Sequence, residues 1–177
     1  MAIKRYFANA DNTITNAFQE NLAIRGTGSN MGQADILETF SIYAQESSTS
    51  TELARIILKF PVIEEIKADR DAGLIPAIND VSFYLKMFNA KHPHTLPKNY
   101  KLDVLAVSSS WEEGNGLDME NYTDLTHDGI GSNWIQARQS SVGDNGKWTS
   151  EGGDYHVAPA FVASFDKGDE DLEVDVE

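Results

Sequence analysis

The stretch Ser108 to Trp134, SSSWEEGNGLDMENYTDLTHDGIGSNW, gathers six carboxylates, four glycines and two tryptophans. Carboxylates this dense suit general acid/base chemistry or the holding of a hard cation. A glycosidase needs two of them about 5–5.5 Å apart, or about 6.5–9.5 Å apart with a water between. Glu112 and Glu113 are neighbours, and neighbouring side chains on an extended chain point to opposite faces, so they make a poor acid/base pair. This reading points away from an enzyme. Calcium is a better use of the same residue types, since it takes six to eight oxygens from carboxylates and backbone carbonyls at about 2.3–2.6 Å. Glu113, Asp118, Asp128 and Asp154 are the candidate ligands. Their spacing misses the EF-hand pattern, and Asp, Asn and Gly also serve simply as turn-formers.

Trp111, Trp134 and Trp148 are the candidate glycan-binding residues, because an exposed indole stacks on a sugar ring. Each stands where a strand-like segment meets a Gly-rich loop, so anchoring the rim of a core is the competing role. The four histidines are His92, His94, His127 and His156. His92-Pro93-His94 has no third ligand near it in sequence, and zinc would need one assembled from elsewhere. There is no cysteine, which removes thiolate chemistry and disulfides. No serine lies in a G-x-S-x-G elbow, and RGTGSNMG misses the G-x-G-x-x-G spacing. Calcium apart, no cofactor is implied.

The elements that must carry these residues read as strands. ELARIILKF places Ala54, Ile56, Leu58 and Phe60 on one face. VSFYLKMFN alternates Val81, Phe83, Leu85 and Met87 against Ser82, Tyr84, Lys86 and Phe88. KLDVLAV, APAFVASF, DLEVDV, NTIT and Asp35–Gln45 are further strands by the same period-two patterning. PVIEEIKADRDAG alone looks helical, with Pro61 at its start, acids leading bases, and Gly73 at its stop. Short strands, dense turns and one short helix predict an all-β fold, an antiparallel β-sandwich or jelly roll. Residues 1–9 read as an N-terminal arm and 10–177 as one jelly-roll domain. Ala54, Ile56, Leu58, Phe60, Val81, Phe83 and Leu85 are the expected core.

A chain of 177 residues is long enough to bury a core without staples. Its net charge of -14 argues against a nucleic-acid partner, which clustered Lys and Arg would attract, and favours solubility and self-repulsion. No run approaches the length of a membrane span, and the first residues lack the apolar core of a signal peptide. The last twelve residues carry seven acids, yet Leu172, Val174 and Val176 alternate among them, as in a strand with one buried face.

In order along the chain, SSSWEEGNG, GSNW and KWTSEGGDY resemble the DNRLRE-type jelly-roll family, which is related to carbohydrate-binding modules and disaggregatase-associated domains. The matching positions are Trp111, Glu113, Gly114, Gly116, Trp134, Trp148, Gly152 and Gly153. ELARIILKF looks like that family's R-x-L-x-F strand, and NMGQADILETFSIYAQ like its opening turn and strand. MAIKRYFANADNTITNAF, RGTGSNMG and SWEEGNGLDMENYTDLTHDG also resemble virion structural proteins of tailed phages of marine bacteria. The resemblance implies a non-enzymatic particle component: a surface knob or capsid decoration, or a neck or tail-appendage protein. It would be made in the host cytoplasm, released by lysis, and partnered by other virion proteins. The alternative it implies is a carbohydrate-binding module for attachment to host or environmental glycans. The family continues past the DLEVDV strand, so the sandwich edge is expected to be covered by a neighbouring subunit in a homo-oligomer, or by a continuation of the chain. IKRY near the start is a candidate for docking on an acidic capsid or tail surface.

Overall fold

Strands form where apolar residues alternate, and in the computed structural model they all lie in antiparallel sheets. The structure describes residues 3–76, 80–91, 93, 95–117 and 121–177. Among the described residues seven strands run in chain order: β1 Ala10–Thr15, β2 Phe40–Tyr43, β3 Thr51–Lys59, β4 Tyr84–Met87, β5 Tyr100–Val107, β6 Tyr155–Phe165 and β7 Leu172–Asp175. One short helix stands between β3 and β4, so the fold is all-β with a single short helix, as the patterning predicts. No helix among the described residues is long and apolar enough to cross a membrane.

Contacts divide the described chain into two compact units, each assembled from separate stretches of sequence. The larger takes residues 6–61 and 107–155. Its sheet has the order β1-β3-β2, with Thr15 opposite Ala54 and Ile42 opposite Glu52. Ile14, Ile57, Trp134, Ala137 and Trp148 form its core, and Leu53 and Trp111 pack against them. Burying a side chain such as Ile14 contributes about 1.5–3 kcal/mol.

The buried positions of β3 do not keep to the predicted face. Ala54 is buried, but Ile56, Leu58 and Phe60 are only half-buried, while Ile57, assigned to the other face, is buried. Glu52 is also buried, at 1% exposure. The strand is central in its sheet and partly covered on both sides, so strict alternation no longer marks the inner face.

The smaller unit takes residues 1–5, 62–106 and 156–177. β4 pairs with β7, with Leu85 opposite Val174 and Met87 opposite Leu172. β5 pairs with β6. Leu85 and Met87, Leu172 and Val174, Tyr100, Leu102 and Val104, and Phe161, Ala163 and Phe165 pack into one cluster. The two strand pairs therefore bury their apolar faces on each other. The predicted inward faces of β4 and β7 are the observed ones: Val81, Phe83 and Leu85 are half-buried, Ser82, Tyr84 and Lys86 exposed, and Leu172 and Val174 buried between exposed acids. In β5 Leu102 and Val104 are half-buried, but Ala106, on their face by alternation, is exposed. Tyr100 and Phe165 stack at 4.8 Å with an interplanar angle of 3°.

The helix opens as a π-helical turn, Val62–Lys67, and continues as α1, Ala68–Asp71. It stops where Gly73, at φ 71°, lets Gly73 N–H bond Arg70 O and Leu74 N–H bond Asp69 O. That pair of bonds is the Schellman stop that the glycine predicts.

Candidate functional site

The segment 108–134 is built into the larger unit by a network of buried amides. Asn30, 1% exposed, donates through its amide nitrogen to Glu113 O and Ser132 O, both at 2.8 Å. Its amide oxygen accepts from Gly116 N–H at 2.7 Å and Gly32 N–H at 3.2 Å. Asn12, on β1 and fully buried, donates to the carbonyl and hydroxyl of Ser132 at 2.9 Å and accepts from Met31 N–H. Asn133 accepts from the N–H groups of Ile135 and Gln136, forming an Asx turn, and donates to Thr126 Oγ1. In a low-dielectric interior such a network holds its loops in one geometry, because every unmade bond leaves a costly orphan.

The acids of the segment serve the same end. Glu113 Oε1 accepts from Asp11 N–H on β1, whereas Glu112 Oε2 accepts from Gln139 N–H at 2.9 Å. The two neighbouring carboxylates thus serve different partners. Asp124 Oδ2 accepts from Leu117 N–H, and Asp124 O from Asn30 N–H. A side chain on Gly116 would run into the carbonyl of Asn30, so close backbone approach explains this glycine.

Of the candidate calcium ligands, the described ones, Glu113, Asp128 and Asp154, do not gather into one site. Glu113 is tied to β1, and Asp128 pairs with His127 at 2.9 Å on the surface. Asp154 accepts from Thr149 N–H, Ser150 N–H and the Ser109 hydroxyl at 2.9–3.0 Å. Burial pushes the Asp154 carboxyl up, but these bonds outweigh it and hold the carboxyl below its ordinary value. Its lone pairs are committed to the turn. Asp118 lies outside the described residues, as do His92, His94 and Glu120. Among the described residues no three His, Asp or Glu side chains gather as a metal site.

The tryptophans are framework. Trp134 and Trp148 are 5% and 6% exposed, and Trp148 donates its indole N–H to Asn133 O at 2.8 Å. Of the three candidate glycan-binding residues, Trp134 and Trp148 therefore present no open face, and Trp111 is half-buried against the same core. Arg55 lies between Trp134 and Tyr155, 5.0 and 5.3 Å from their ring centres, and donates to Gly152 O. Gly152, at φ 88°, leaves no room for a side chain: its Cβ would stand 2.8 Å from Arg55 and from the Trp134 ring. The tryptophans, the arginine and the Gly-Gly pair thus form one packed joint.

An open cleft of about 400 Å³ lies on the larger unit, lined by Gln19, Glu20, Asn21, Asn121 and Thr123. Among the described residues its lining holds one carboxylate, Glu20, and no aromatic ring, so these residues supply neither an acid/base pair nor a stacking face.

Asn12, Asn30, Ser132 and Asn133 were not singled out by their chemistry, yet the sequence carries a mark of them. The tripeptide Gly-Ser-Asn occurs twice, at 28–30 and 131–133, and both serines and both asparagines are at most 2% exposed. No family model matches the chain, and no curated protein or solved structure matches it either.

Proposed function

We propose that this chain is a non-enzymatic structural protein of a tailed-phage virion, exposed on the particle surface as a knob, decoration, neck or tail-appendage component. The resemblance of its ordered segments to such proteins motivates the reading. One observation carries it on: the segment with the most reactive residue types spends them on internal bonds, with Glu112, Glu113 and Asp124 each holding backbone. A site for turnover needs groups left poised for a substrate. A rigid scaffold with fixed loops needs the opposite, and that is what these residues provide.

The acidic surface also suits a component present in many copies, because like charge keeps free copies apart before assembly. The test is mass spectrometry and cryo-electron microscopy of purified particles. The chain is expected in intact particles, with density on the outer surface. Its absence from every particle fraction would overturn the reading. Attachment to glycans through indole stacking now has Trp111 as its remaining half-open ring, so binding on a glycan array that Trp111→Ala abolishes without unfolding would favour that alternative.

A further inference from the structure

Two Asn-Gly pairs stand in the larger unit, Asn115-Gly116 and Asn145-Gly146, and no other asparagine of the chain precedes a glycine. A glycine nitrogen has no side chain beside it to shield it, so it can close on the side-chain carbon of the asparagine before it. The fold treats the two pairs in opposite ways. Gly116 N–H donates to the buried amide oxygen of Asn30 at 2.7 Å, and an amide oxygen is no base at neutral pH. Gly146 N–H donates instead to a carboxylate oxygen, Asp144 Oδ1, at 2.9 Å. Arg138 holds the other oxygen of Asp144 and so anchors the carboxylate beside the Gly146 amide. Asn145 is exposed, and its own Oδ1 accepts from Lys147 N–H at 3.0 Å. That Asx turn folds the side chain over the peptide that follows it. The nucleophile thus has a base, and the electrophile has a donor on the oxygen where charge develops.

We infer that Asn145-Gly146 is a self-modification site, at which the folded chain converts its own asparagine to aspartate or isoaspartate. Gly146 N passes its proton to Asp144 and bonds to Asn145 Cγ, whose oxygen takes up the charge facing Lys147 N–H. The Cγ–Nδ2 bond then breaks, and Nδ2 leaves as ammonia with the proton from Asp144. A succinimide ring remains, which water opens at either carbonyl. Water is the only co-reactant, nothing is oxidised or reduced, and the chain gains one negative charge. Opening at the main-chain carbonyl leaves Gly146 N on Cγ and lengthens the backbone by one carbon. The turn that changes is not idle. Gly146 O accepts from Ala137 N–H at 2.8 Å and Arg138 N–H at 3.1 Å, and Trp148, two residues on, lies in the core with Ala137. The modification therefore acts on the turn that seats both. This inference goes beyond the virion reading and does not depend on it.

The test is ageing of the purified full chain at neutral pH, with peptide mass spectrometry reading the change of side-chain NH2 to OH at each asparagine. In the folded chain Asn145 is expected to convert about 10-fold faster than Asn115, or more. In concentrated guanidinium chloride the two should convert at similar rates, because both are then plain Asn-Gly pairs. Unfolding should thus slow Asn145 and speed Asn115. Asp144→Asn keeps the shape of the turn but removes the base, and should slow conversion at Asn145 by about 10-fold or more. Arg138→Met removes only the anchor of that base and should slow it less. Asn145 converting no faster than Asn115 in the folded chain overturns the inference, and so does faster conversion of Asn145 after unfolding. An unchanged rate in Asp144→Asn, or equal slowing in both variants, overturns the role of Asp144 and the inference with it.

Discussion

At the scale of single residues, the stability of the larger unit is concentrated in side chains that look unremarkable in the sequence. Asn30 makes four hydrogen bonds in a buried site, two given and two accepted. Asn30→Ala strands the Glu113 carbonyl and the Gly116 and Gly32 amides at once, while Ser132 O keeps its bond from Asn12, and this should cost about 3 kcal/mol in chemical denaturation. Asn30→Asp should be no milder, because a carboxylate oxygen would then face the carbonyls of Glu113 and Ser132. An asparagine between glycines reads as a turn residue, and its burial depends on loops more than 80 residues away. Only the recurrence of Gly-Ser-Asn exposes it. Asp154 carries a prediction of the opposite visibility. Its carboxyl is held below its ordinary value in the folded chain, so the folded state binds its proton less readily than the unfolded state does. The stabilisation is complete above the ordinary carboxylate range and drains away as pH falls through it and below. Glu170 acts in the same direction, its carboxyl lowered chiefly by the Lys167 N–H and by other amides of its turn. Melting temperatures followed from neutral pH down to about 3 should therefore fall, and Asp154→Asn should flatten part of that slope.

At the scale of elements, legibility followed coverage. β4 and β7 each have one covered face, and their alternation named the inner residues correctly, while β5 keeps the pattern through Leu102 and Val104 and loses it at Ala106. β3 lies between two strands and is partly covered on both sides, so Ile57 took a place that period two assigns to Ile56. The helix was legible because its stop is local chemistry: Gly73 needs no distant residue to adopt φ 71°. Asp35–Gln45 was too generous, since only Phe40–Tyr43 pairs with β3. The joint of Arg55, Trp134 and Gly152 was half legible, because the tryptophan and the glycine pair stood out while the cation between the rings did not. In the smaller unit, the weight rests on β6. Phe165, 4% exposed and stacked on Tyr100, links β6 to β5 beneath β4 and β7. Phe165→Ala should cost about 3–5 kcal/mol. Amide exchange should report the loss first in the β4–β7 and β5–β6 ladders, since the core it opens is theirs. Val162→Ala, on the exposed side of the same strand, should change the melt little.

At the scale of the whole molecule, charge is the property that composition states most plainly, and it acts twice. A net charge of -14 makes the folded chain repel itself as well as its copies. Most ion pairs among the described residues lie at the surface: Lys86 with Glu173 at 2.7 Å is about as accessible as Lys67 with Asp71. Exposed pairs contribute about 0–1 kcal/mol, too little to offset a surplus of fourteen carboxylates. Added sodium chloride should therefore raise the melting temperature, with most of the gain below about 0.1 M, where the screening length shrinks to roughly 10 Å. Self-association would raise it too, by mass action, but only in proportion to protein concentration. The two effects separate when the salt series is repeated at several protein concentrations, because screening within one copy does not depend on concentration. At the lowest concentration the melting temperature should still rise with salt. A salt response absent at low protein concentration would mean that repulsion within one copy is negligible, and that the acids of this surface act only between copies.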